Sequence, residues 1–320
     1  MAEVVNEDFS AALFRQHNRP DEQPNGALGK RPNVYATVVT FSPHPQAYFS
    51  GVSKPLLTPL DEKAYQLTSV GIEQLVTLPF DEAIAALRPE EFVERILVKG
   101  LRAQKISVGS DFRFGKGRSG DAQGLKKIAA RFGVPVVLVP LRVEKGDRIS
   151  SSRIREALQT GDLIAVTQLL GRPYTLSGIV VEGKQIGRTI GFPTANLQVP
   201  NEKFLPRTGV YSVRVWIGES DRMHRTPING VMNVGNRPTV SGQDLSIEIH
   251  LMDWTGDLYE QRVTVSLEKF IRSEQKFGSL DELKAQIAKD CETAKENLSG
   301  QAHAAIISAA KQDELDITLP

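Results

Sequence analysis

Two hydrophobic rhythms divide this chain. From Val34 to Leu170, short apolar runs alternate with stretches of helical period. Val34-Tyr35-Ala36-Thr37-Val38-Val39-Thr40-Phe41 reads as a continuous apolar strand, Leu60 to Ser69 as a helix, Glu73 to Leu78 as a strand, and Pro89 to Gly100 as an amphipathic helix. Lys105 to Gly109 then predicts a strand, Gly120 to Phe132 a helix, and Val134 to Pro140 another buried strand. Apolar strands alternating with helices predict a parallel sheet covered on both faces, with ligands at the carboxyl ends of the strands. From Gly171 onward the period is two. Gly178-Ile179-Val180-Val181, Gly209 to Val215 and Ser246 to Asp253 read as strands, and Gly230 to Thr239 as a strand running into a turn. On the third of these strands Glu248 shares a face with Ser246 and His250, opposite Ile247, Ile249 and Leu251. A helix from Asp281 to roughly Glu296 closes this half, which reads as a small antiparallel barrel.

The polar residues gather where chemistry would need them. Gly191-Phe192-Pro193-Thr194-Ala195-Asn196-Leu197 sets a hydroxyl and an amide two residues apart, behind glycines recurring at Gly183, Gly187 and Gly191 around Arg188. Glycines let a backbone approach phosphate oxygens, and an arginine meets them with a planar fork of donors. A glycine-rich hairpin with a polar rim is the plainer alternative. Glu248 is either a catalytic carboxylate or part of a solvated strand face, and His250 is read as a packing or supporting residue without a catalytic role. In the first half, Ser42-Pro43-His44-Pro45 and Gly109-Ser110-Asp111-Phe112-Arg113-Phe114-Gly115 follow strands. Ile149-Ser150-Ser151-Ser152-Arg153-Ile154-Arg155 opens a helix, where hydroxyls and free amides suit an anion or simply cap the helix.

The second half, roughly Gly171 to Cys291, resembles the riboflavin kinase domain. The resemblance rests on the Gly-Phe-Pro-Thr-Ala-Asn block, the Gly-Val-Tyr strand from Gly209 and the Gly-Val-Met-Asn-Val-Gly segment from Gly230. It includes also the Glu-x-His strand and the closing Phe270-Ile271-Arg272-Ser273-Glu274-Gln275-Lys276-Phe277. It implies ATP as co-substrate, held with Mg²⁺ by Thr194 and Asn196 and bounded by Gly183, Gly187, Arg188 and Gly191. It further implies Glu248 as the base that takes the proton from the ribityl hydroxyl, and Arg272 near the flavin. Phosphoryl transfer asks for such residues, since it consists mostly of positioning and charge stabilisation. The first half, Val34 to Leu170, resembles the FMN adenylyltransferase module of bacterial bifunctional riboflavin kinase/FAD synthetases, a Rossmann-like nucleotidyltransferase fold. Its site residues would be His44, Asp111, Phe112, Ser150, Ser151 and Arg155. The family's Gly-x-Phe-Asp-Gly-x-His-x-Gly-His turn is missing, however. His17 is the only histidine before His44, and Lys30-Arg31-Pro32-Asn33 leads straight from Gly29 into the next strand. Either a coding segment is missing from this sequence or the domain has lost its phosphate-binding turn. Weak or absent adenylyl transfer is expected of the polypeptide as written.

The implied organisation is a poorly ordered segment 1–33, an adenylyltransferase-like domain 34–170, a kinase domain 171–296 and an extension 297–320. At 320 residues and 40% hydrophobic composition, two cores are affordable. A formal net charge of +1 gives no basic footprint for nucleic acid. The single cysteine, Cys291, excludes an intrachain disulfide and suits a reducing cytoplasm. No apolar run reaches about 18 residues and no signal-like start precedes the first domain, so neither a membrane nor a secretory route is expected. The expected partners are riboflavin, FMN and ATP. A monofunctional kinase with a degenerate flavin-binding first domain, or a non-catalytic FMN carrier, are the alternatives. Thr194, Asn196 and Glu248 speak against the carrier, because binding alone needs no base aimed at a hydroxyl.

Overall fold

The computed structural model describes residues 34–144, 147–183, 186–218, 226–239 and 242–299. The expected disorder of 1–33 and nearly all of the extension lie outside the described residues. Contacts divide the chain into two compact units, Met1–Lys54 with Thr58–Ile149, and Pro55–Leu57 with Ser150–Pro320.

In the first unit, β1 (Thr37–Ser42) and β2 (Gln74–Pro79) pair in parallel, Thr37 opposite Gln74. Between them lies the helix Leu60–Ser69, with the bounds its pattern predicts. A helical turn Pro89–Glu91 follows and continues as a π-helix, Phe92–Gly100, whose Leu101 N–H reaches back to the Ile96 carbonyl at 2.8 Å. The wider winding still buries Phe92, Val93 and Ile96. Next come β3 (Ile106–Gly109), the short antiparallel pair β4 (Arg113–Phe114) and β5 (Gly120–Asp121), and the helix Ala122–Ala130. Asp121 caps that helix, accepting from the Gly124 N–H at 2.7 Å. β6 (Val136–Val139) pairs in parallel with β3, and the hairpin β7 (Val143–Glu144) and β8 (Asp147–Arg148) ends the unit. One core joins Val76, Leu78, Phe92, Ile96, Leu125 and Val136.

The parallel pairing is as predicted, but the sheet is not continuous. β1–β2 and β3–β6 are separate ladders, and no described strand joins them. Nor do the described residues cover both faces. Val137 and Val139 on one side of β6 are 43% and 46% exposed while Val136 is buried, and no residue of β1 is fully buried. In a doubly wound sheet of strand order 3-2-1-4-5 these two ladders are the flanking pairs, and the strand between them has no counterpart among the described residues.

The second unit opens with two helices, Ser151–Thr160 and Leu163–Leu170, then a closed barrel. Its strands are β9 (Tyr174–Val181), β10 (Ala195–Gln198), β11 (Gly209–Ile217), β12 (Ile228–Thr239), β13 (Gly242–Leu251) and β14 (Arg262–Arg272). The ring order is β10-β13-β12-β11-β14-β9, antiparallel at every pair. Strand alternation fills the interior: Leu176, Tyr211, Val213, Met232, Ile249 and Leu267 are fully buried. Each such apolar side chain contributes about 1.5–3 kcal/mol. Tyr211 places its hydroxyl on the Arg207 carbonyl, and burial pushes its pKa well above the ordinary phenol value. Outside the wall, the helix Leu280–Leu298 lays Ala294 and Leu298 on Val210, Val231 and Met252. Ser279 caps its start, accepting from the Glu282 N–H at 3.2 Å, and Asn297 donates to Ser212 at 2.9 Å.

Candidate active site

The loop between β9 and β10 is shaped by two glycines packed on the residues it presents. Gly183 lies so close to Asn196 that a Cβ there would overlap the carboxamide, and a Cβ on Gly187 would overlap the Phe192 carbonyl. Gly187 sits in a short helix, Ile186–Thr189, and its carbonyl accepts the Phe192 N–H at 2.8 Å. Gly191, at a left-handed φ of 87°, turns the chain toward Pro193. The side chain of Arg188 lies outside the described residues.

Strand register then assembles a row. Asn196 stands opposite Glu248, Glu248 opposite Asn233, Asn233 opposite Val210, and Val210 opposite Arg272. Residues directly opposed on antiparallel strands share a face, so the row runs from the loop across the outer wall of the barrel. The interior takes the alternate residues, Ile247 and Ile249, as the period-two pattern predicts. Thr194 donates its hydroxyl to Glu248 Oε2 at 3.4 Å, and His250 Nδ1 lies 2.8 Å from the Pro193 carbonyl.

A cavity of about 350 Å³ opens over this row, lined by Thr194, Asn233, Glu248, Arg272, Phe277 and Asp290 among others. That volume is within the range of small-molecule sites. Asn196 does not line it; its amide lies against Gly183. The far wall is the segment after β14 and the closing helix. Arg272 Nε and Nη2 donate to the Asp290 carboxylate at 2.9 and 2.7 Å, its Nη1 donates to the Ser273 carbonyl at 3.0 Å, and Gln286 adds a bond to Asp290 at 2.9 Å. The guanidinium also lies 5.9 Å from the Phe277 ring centre. Among the described residues three of its five N–H groups find partners, which leaves two for a ligand. Next to Asp290, burial pushes the Cys291 thiol pKa up, which suits packing and not nucleophilic chemistry.

The pattern of residues thus places Thr194, Glu248 and Arg272 at one cavity. Asn233, Glu274 and Asp290 line it too, although sequence reasoning assigned them no role. Asn233 could have been found by alternation, since it shares its strand face with Val231 and is opposed to Glu248. Asp290 carries no such signal, being one acid among several on a polar helix.

The six residues of the adenylyltransferase-like set divide between the units. His44, Asp111 and Phe112 belong to the first, and Ser150, Ser151 and Arg155 to the second. His44 caps the helix Pro45–Ser50, its Nδ1 accepting from Gln46 at 3.2 Å. Asp111 pairs with Arg148 at 2.6 Å, and Phe112 stacks on Phe114 with ring centres 5.5 Å apart. Ser150 caps its helix, accepting from the Arg153 N–H at 3.4 Å. Arg155 donates to the Ser151 carbonyl at 3.3 Å and the Pro55 carbonyl at 3.0 Å.

Comparison with known proteins matches both halves. The riboflavin kinase family model covers residues 170–298 and the FAD synthetase family model residues 26–153. The bifunctional riboflavin kinase/FMN adenylyltransferase of Escherichia coli (strain K12) is 43% identical over 269 residues, 84% of each chain. The Bacillus subtilis (strain 168) protein of the same name is 37% identical over 273 residues, 83% of this chain and 84% of that one. A crystal structure described as a macrolide-efflux protein from Streptococcus pneumoniae matches with a TM-score of 0.70 at 32% identity, over 81% of this chain and 83% of the other. No helix among the described residues is long and apolar enough to cross a membrane. The chain belongs to the bifunctional riboflavin kinase/FMN adenylyltransferase family, and its barrel half makes it a flavin-biosynthetic transferase that phosphorylates riboflavin.

Proposed function

We propose that the cavity on the outer barrel wall is the kinase site, with Glu248 as its general base. Riboflavin lies between the row Glu248–Asn233–Val210 and the closing helix, flanked by Arg272. Glu248 accepts the proton of the terminal ribityl hydroxyl as that oxygen bonds to the γ-phosphorus of ATP. The bond to the β,γ-bridging oxygen breaks and ADP leaves. The observation that carries this reading is the 3.4 Å approach of the Thr194 hydroxyl to Glu248, which sets the glycine-bounded loop and the carboxylate at one point of the cavity wall.

The donor set fits Mg²⁺. In this reading Thr194 offers a hydroxyl at the cavity wall, and Asn196, packed against Gly183 outside the lining, offers an amide oxygen from the strand position opposite Glu248. Mg²⁺ favours such sparse oxygen sites, keeping waters and substrate phosphates as its remaining ligands. Bound there, it would neutralise charge on the phosphates. Gly183, Gly187 and Gly191 shape the loop on which those ligands stand, and Arg188 is the loop's phosphate donor in this reading.

Substituting Glu248→Gln keeps the shape and removes the base. Turnover is expected to fall by about 10² or more, while riboflavin and ATP affinities hold nearly constant. Unchanged turnover would reduce Glu248 to a wall residue. For the first unit we propose weak or absent adenylyl transfer, because the chain has no His-x-Gly-His turn. The efflux description attached to the Streptococcus pneumoniae structure finds no support in a cavity of this chemistry.

A further inference from the structure

His250 lines the cavity beside Glu248 and has no part in the reaction as proposed. Its ring is nevertheless committed. Nδ1 lies 2.8 Å from the Pro193 carbonyl, and since a carbonyl only accepts, Nδ1 carries the hydrogen. The ring edge also meets Phe192, with centres 5.4 Å apart and planes at 75°.

The backbone explains why a side chain is needed at this point. The ladder between β10 and β13 consists of Ala195 opposite Ile249 and Asn196 opposite Glu248. One step outward, Thr194 would face His250, and beyond it Pro193 has no N–H with which to continue the ladder. The Pro193–Thr194 peptide therefore leaves the sheet at the residue whose hydroxyl meets Glu248. Phe192 is tied from one side by the Gly187 carbonyl. His250 holds the next carbonyl from the other.

We infer that His250 is a positioning residue of the nucleotide loop: its Nδ1–H fixes the Pro193 carbonyl and so sets where Thr194 presents its hydroxyl to the metal-bound phosphates. The inference rests on the reading of Thr194 given above, and it assigns His250 no proton transfer. Groups that orient a metal ligand typically alter metal affinity by about 10–100-fold when removed.

The test uses the full chain in steady-state kinase assays with riboflavin, ATP and varied Mg²⁺. His250→Leu keeps an apolar contact for Phe192 but removes the donor. It is expected to raise the KM for MgATP and the half-saturating Mg²⁺ concentration by about tenfold, with riboflavin affinity, followed by flavin fluorescence, unchanged within about twofold. His250→Asn carries an amide N–H where Nδ1 stands and is expected to recover most of the loss. His250→Gln carries its amide near the place of Nε2 and is expected not to. The inference is overturned if Asn and Gln behave alike, if the leucine variant leaves both constants unchanged, or if riboflavin affinity falls instead. Glu248→Gln measured in parallel separates the two readings. A normal Mg²⁺ response in the histidine variants beside a lost turnover in Glu248→Gln removes the positioning role and leaves the kinase site standing, whereas full turnover in Glu248→Gln removes the site itself.

Discussion

Gly183 has no room for a side chain, and the reason is Asn196. A Cβ would stand within 2.5 Å of the carboxamide carbon and 2.8 Å of Oδ1, well inside contact distance. Alanine at 183 must therefore push the amide away from the position it takes opposite Glu248. Gly183→Ala is expected to raise the Mg²⁺ needed for half-maximal activity by about tenfold and to lower turnover, while fluorescence titration finds riboflavin binding intact. An unaltered Mg²⁺ requirement would mean that Asn196 has no bearing on the metal. The glycine spacing made this position legible in the sequence, but for a different reason. Glycines behind a Thr-x-Asn suggest backbone approach to phosphate, whereas this one gives way to a side chain 13 positions further on. Such a packing relation appears only once β9 and β10 are paired, which local pattern does not specify.

Among the elements, the closing helix does more than cover the barrel. Asp290, with only 3% of its side chain exposed, receives Arg272 from the end of β14, so helix and flavin-side wall are joined by one charge pair. Removing one partner of a buried pair leaves the other uncompensated in a low-dielectric setting. Asp290→Ala is expected to cost about 3 kcal/mol of barrel stability and to weaken riboflavin binding, because Arg272 loses the anchor that orients it. Both tryptophans, Trp216 and Trp254, belong to the second unit, so urea denaturation followed by their fluorescence reads this unit selectively. A midpoint matching the unsubstituted chain would show the pair to be decorative. Most elements were legible: the strand face bearing Glu248, the helix expected from Asp281 and seen over Leu280–Leu298, and the helix Leu60–Ser69 all follow from period alone. Two features did not follow. The segment Gly230–Thr239, which reads as a strand running into a turn, stays paired in β12 as far as Thr239 opposite Gly242, and a helix of period 3.6 is a π-helix at Phe92–Gly100. Both depend on hydrogen-bond partners chosen in three dimensions, to which hydrophobic spacing is blind.

At the scale of the whole molecule, the two halves carry unequal equipment. A parallel strand can join its neighbour only through a crossover of a dozen or more residues, and the family's phosphate-binding turn belongs to the first such crossover. Here Gly29 and Val34 are separated by four residues, Lys30 to Asn33. The parallel strands of the first unit form two ladders with no described strand between them, and Val137 and Val139 on one side of β6 are exposed. The remaining blocks persist, with His44 and Ser150 as helix caps and Asp111 paired to Arg148, while the His-x-Gly-His turn is not in the sequence. Supplied with riboflavin, ATP and Mg²⁺, the purified chain is therefore expected to accumulate FMN and little or no FAD, followed by chromatographic separation of the two flavins over time. FAD appearing at a rate comparable to FMN would show that adenylyl transfer proceeds without that turn, and would require another part of this chain to hold the triphosphate.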